Sequence, residues 1–122
     1  AGQTVKETVK ATVWEAKEKV LDEASVQADR VIREAEARAQ VIREEAAGAA
    51  EKLRTEAAAN AQKLVKEAES KGPLAKLAAQ RAADALNKEA AKRTDQLTRE
   101  ADAKAVKIID RAKMTRDSLL RK

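Results

Sequence analysis

In this chain of 122 residues, charged side chains make up 39% and aromatic ones 1%, and Phe, Tyr, His and Cys are absent. The bulky material of a compact core is therefore missing, there is no disulfide frame or thiol nucleophile, and a metal would have to be held by carboxylates alone. The formal net charge is +5, and no run approaches the roughly 20 apolar residues that cross a bilayer.

The opening residues Ala1-Gly2-Gln3-Thr4 carry no charged-then-apolar leader pattern, so any targeting segment is expected to have been removed or left out. The first predicted element is a helix from about Thr4 to Lys71, rich in Ala, Glu, Lys, Arg and Leu. An apolar residue returns every eleven positions along it, at Val9, Val20, Val31, Ile42, Leu53 and Leu64. Four residues after each comes a small or apolar one: Val13, Ala24, Ala35, Ala46, Ala57 and Ala68. A glutamate precedes most of these, as at Glu23, Glu34, Glu45, Glu56 and Glu67. Eleven residues make three turns at about 3.67 per turn, so the stripe drifts gently right-handed and suits long helices packed along a nearly straight seam. Gly48 costs about 1 kcal/mol relative to alanine in a helix interior, but with no cap or proline beside it the helix is expected to continue.

Ser70-Lys71-Gly72-Pro73-Leu74 stops that helix, with a glycine where a left-handed cap is wanted and a proline where a new helix begins. The second predicted helix runs from about Leu74 to Leu120 and keeps the repeat in phase through Ala75, Leu86, Leu97, Ile108 and Leu119. Of a hairpin and a kinked rod, the antiparallel hairpin is favoured. Pairing residues whose numbers sum to about 147 sets Leu64 against Ala83, Ala61 against Leu86, Ala50 against Leu97, Ile42 against Ala105 and Ala39 against Ile108. Alanine pairs such as Ala57 with Ala90 and Ala46 with Ala101 fall between them, so large meets small in one layer and small meets small in the next. The fold class expected is thus all-α, a long antiparallel, alanine-rich helical hairpin with a right-handed seam, able to dimerise into a bundle. All 122 residues form one helical module.

The arms are unequal, and residues 1–24 have no partner within the chain. They carry Val5, Val9, Val13 and Val20 on one side of the helix, with Trp14 at its margin. An apolar strip of this kind is expected to meet a protein partner or a second copy of the chain. The glutamate column flanks the seam, within reach of pairing as Glu34 with Arg38 or Glu56 with Lys52. Its eleven-residue spacing is about 16 Å along one helix, too far to share an ion. No metal site, cofactor, catalytic residue or small-molecule substrate is expected.

Residues 72–122 hold 13 basic and 7 acidic side chains, against 13 and 14 in residues 1–71, so the charge excess belongs to the second arm. Lys104, Lys107, Arg111, Lys113, Arg116, Arg121 and Lys122 crowd its end. Such an end can approach anionic headgroups of a membrane surface, although a helix C-terminus with ordinary solvation accounts for it more simply. Nucleic acid is disfavoured, because no aromatic stacking platform accompanies the charge. Each unit offers one branched aliphatic and two or three alanines, which favours a close partner helix over burial in lipid.

The units Val31-Ile32-Arg33-Glu34-Ala35-Glu36-Ala37-Arg38-Ala39 and Leu64-Val65-Lys66-Glu67-Ala68-Glu69 resemble the eleven-residue repeats of late-embryogenesis-abundant proteins and apolipoproteins. They also look like the right-handed stalk helices of ATP synthase subunit b. Across most of its length the chain is similar to the Ala/Lys/Glu-rich helical tail of bacterial AsmA-type envelope proteins, matched in particular at Pro73-Leu74-Ala75-Lys76. That resemblance implies a bacterial envelope or periplasmic setting within a larger protein and carries over no catalytic residue. The function expected is a noncatalytic spacer, scaffold or protein-interaction module, with a lipid-surface or desiccation-protective protein as the alternative.

Overall fold

The computed structural model describes the backbone of residues 2–121 and the side chains of residues 22–121. It consists of helix α1, Gly2–Ala68, and helix α2, Pro73–Arg121, and among the described residues there is no strand. The chain is an all-α helical hairpin. α1 passes through Gly48 without a break. Three threonines inside the helices satisfy their hydroxyls locally: Thr55, Thr98 and Thr115 each donate to the carbonyl four residues earlier, at 2.9, 3.0 and 3.0 Å.

α1 ends at Ala68, three residues before the position expected from sequence. The reason is a tightening of its last turn: Glu69 N donates to the Lys66 carbonyl at 3.3 Å and Lys71 N to the Ala68 carbonyl at 3.0 Å, both across three residues. Gly72 then takes φ of +98°, a left-handed conformation that only glycine adopts without strain. Its carbonyl accepts from Lys76 N at 3.1 Å, the first hydrogen bond of α2. Pro73 sits at the first helical position, where its missing N–H costs nothing.

Packing divides the chain into two units, one formed by Ala1–Arg38 with Lys107–Lys122 and the other by Ala39–Val106. In the second unit the two helices are antiparallel across the Gly72-Pro73 turn. Arg43 lies beside Asp102, and Leu53 and Asn60 share a groove with Arg93 and Leu86, pairs whose numbers sum to about 145 or 146. The register is therefore within two residues of the one expected.

What fills the seam differs from the expectation. Aliphatic residues were expected to share its centre with the alanines they face, whereas the most buried side chains are alanines alone, from 0% exposed at Ala105 to 7% at Ala90. Ala39, Ala50, Ala61, Ala83 and Ala105 form the deepest row of this unit, and Thr94 takes the same eleven-residue position at 8%. Ile42, Leu53 and Leu97 are half-buried, and Leu64 and Leu86 remain 36% and 37% exposed. Two backbones that approach closely leave room only for a methyl group between them, so the larger side chains splay to one side of the seam. Each buried methyl contributes about 0.8 kcal/mol, so the hairpin is stabilised by many thin layers. In the first unit Ala28, Ala35 and Ala112 are buried, while Val31, Ile108 and Leu119 are half-buried.

Candidate interaction surface

Because the aliphatic row splays to one side, the Ala39–Val106 unit has two unlike faces. On the first, Leu53, Glu56 and Asn60 of α1 and Leu86, Glu89 and Arg93 of α2 line a shallow groove of ≈ 220 Å³, with Ala57 and Ala90 at its floor. Eleven residues make three helical turns, so Ile42, Leu64 and Leu97 extend this face and Glu45 and Glu67 continue its α1 border. All three border glutamates are exposed, and none is ion-paired among the described residues. On the α2 border Glu89 is held by Arg93, Nε to Oε1 at 3.6 Å.

The second face is narrower and closed by charge. Arg43, Ala46 and Ala47 meet Thr98, Ala101 and Asp102 there, and Arg43 Nε donates to Asp102 Oδ1 at 3.2 Å. Both partners are exposed, so this pair contributes at most about 1 kcal/mol. It ties α1 to α2 and leaves the first face as the open one.

The unit formed by residues 1–38 and 107–122 repeats the first kind of groove. Val31, Glu34 and Arg38 face Ile108, Arg111 and Thr115 around a space of ≈ 240 Å³. The pairing expected for Glu34 with Arg38 is not formed among the described residues; both line this groove, with Arg111 on the opposite wall. Nor does Glu56 pair with Lys52. Among the described residues the ion pairs three or four positions apart that do form are Glu51 with Arg54 at 3.2 Å and Glu89 with Arg93.

The basic end of α2 is distributed around the helix. Lys107 and Arg111, four apart, share one side, whereas Lys113 and Arg116, three apart, share another. Lys104 belongs to the Ala39–Val106 unit. Lys104, Lys107, Arg111, Lys113 and Arg121 are exposed. Arg116 is half-buried, and its Nε and Nη2 both donate to Asp117 Oδ1 at 3.2 Å. Lys122 lies outside the described residues, as do the side chains of Val5, Val9, Val13, Trp14 and Val20. The side chains of the expected unpaired extension are described only at Asp22 and Glu23, both exposed, and at Ala24, which is half-buried.

Among the described residues no group of three or more carboxylates is placed to hold a metal ion, and no helix is long and apolar enough to cross a membrane. Sequence reasoning placed Ala39, Ala50, Ala61, Ala83 and Ala105 in the seam, opposite aliphatic residues, and the structure buries all five; it did not single them out as the deepest row, which repeats at eleven residues three positions before the aliphatic one. It missed Thr94, whose Oγ1 is buried with no hydrogen-bond partner. Comparison of the chain with protein-family models, with curated proteins and with solved structures finds no match in any of the three.

Proposed function

We propose that this chain is a noncatalytic helix-packing module, a spacer or scaffold whose open groove takes a protein partner or a second copy of the chain. The observation that carries the reading is the division of labour between its two apolar rows. Alanines form the seam within the hairpin, while Leu64 and Leu86 stay more than one-third exposed on one face, where a further helix would cover them. A setting in the bacterial envelope, within a larger protein, rests on the resemblance of the eleven-mers and of Pro73-Leu74-Ala75-Lys76 to AsmA-type tails.

Circular dichroism in dilute buffer tests this reading. A packing module is helical and melts cooperatively without lipid. A lipid-surface or desiccation protein is largely disordered until vesicles or drying supply a surface, and that outcome would overturn the proposal.

A further inference from the structure

We infer that residues 5–20 of one copy dock in the acid-bordered groove of a second copy, the groove lined by Leu53 and Leu86. The inference rests on the reading of the chain as a packing module and names the partner of its open face. The groove offers half-covered aliphatic side chains along its walls and Glu45, Glu56 and Glu67 along one border, none of these glutamates ion-paired among the described residues.

The amino-terminal sequence has the complementary pattern. At about 100° per residue, Val5, Val9, Val13 and Val20 fall on one stripe. Lys6, Lys10 and Lys17 fall along one edge of that stripe and Lys19 along the other, while Glu7, Glu15 and Glu18 fall on the opposite side. An apolar stripe edged with lysine fits an apolar groove edged with glutamate.

Three observations exclude simpler pairings. The deep alanine row of α1, at Ala28, Ala39, Ala50 and Ala61, continues toward the amino terminus as Lys17 and Lys6. The close seam of the hairpin therefore cannot be reproduced by two amino-terminal segments meeting each other, because ammonium groups would be buried there unpaired. Groove against groove would likewise set Glu56 and Glu67 of one copy among the same residues of the other. α1 is unbroken from Gly2 to Ala68, so residues 5–20 cannot turn back onto residues 42–64 of their own helix, and the groove they meet belongs to another molecule.

Sedimentation equilibrium of the full chain tests this with two charge-reversed variants, Glu56→Lys with Glu67→Lys and Lys10→Glu with Lys17→Glu. Wild type self-associates, and raising the salt concentration weakens the association. Each variant alone associates about tenfold or more weakly, keeps its helical circular dichroism, and regains association when the two are mixed in equal amounts. A groove variant that associates as wild type does would show that the segment pairs elsewhere, which overturns the inference while leaving the packing module standing. A wild-type chain that is monomeric at millimolar concentration also overturns it. So does one that binds vesicles of anionic phosphatidylglycerol through Lys10 and Lys17 without self-associating.

Discussion

Gly48 and Gly72 both have open space where a Cβ would be added, with nothing within 4 Å, yet an alanine at each should act with opposite sign. Gly48 is helical, so Gly48→Ala should stabilise the hairpin by about 1 kcal/mol. Gly72 has φ of +98°, and Gly72→Ala should cost about 1 to 2 kcal/mol from backbone strain alone. Chemical denaturation of both variants checks the pair, and shifts of the same sign would contradict the turn geometry. Thr94 offers a third test. Its hydroxyl is buried without a partner, which costs about 1 to 3 kcal/mol. Thr94→Val keeps the shape and the helix propensity, so it should raise stability by about 1 kcal/mol. Thr94→Ser keeps the hydroxyl, loses the methyl and should lower it; a valine variant no more stable than wild type would indicate that the hydroxyl has found a partner.

On the scale of the helices, the expected register put Ala57 and Ala61 alike in the seam, and the structure separates them. Ala57, Ala58 and Ala61 lie within five residues of one another, but only Ala61 is buried. Ala61→Leu should overpack the seam and cost about 1 to 3 kcal/mol, while Ala58→Leu, on the exposed side, should change the melting temperature little. Equal melting temperatures would remove the alanine seam as the source of stability. The turn was legible in advance because Gly72 and Pro73 punctuate the chain by their own backbone chemistry. The early end of α1 was less legible, because nothing in Glu69-Ser70-Lys71 forbids another helical turn. There the hydrogen bonds to the Lys66 and Ala68 carbonyls decide the boundary.

For the molecule as a whole, the prediction concerns the return of the chain at the turn. Lys52 and Asp95 are exposed positions in the Ala39–Val106 unit, on opposite helices and near one register level. Spin labels there should report roughly 20 to 25 Å within one molecule, from an interaxial distance of about 8 to 10 Å plus the outward reach of the labels. A continuous rod would hold them about 65 Å apart at 1.5 Å per residue, and such a distance would exclude the hairpin in solution. The excess charge of the second arm has a different meaning. Among residues 22–38 the acidic side chains outnumber the basic by 5 to 3, while residues 107–121 hold 5 basic and 2 acidic ones. The basic end of α2 thus has acidic side chains beside it within its own unit, as where Glu34 and Arg111 line one groove.

The sequence by itself determined the elements, the turn between them and a register correct to within two residues, because eleven-residue periodicity, helix propensity and Gly-Pro chemistry are local properties of the chain. Tertiary structure decided which of the rows expected in the seam lies deepest. Several rows share the same period, and only the distance between two packed backbones selects the smallest side chains for the centre. That same closeness pushes Leu53, Leu64 and Leu86 to one side and, together with the Arg43–Asp102 pair on the other, leaves an open apolar groove on a single face.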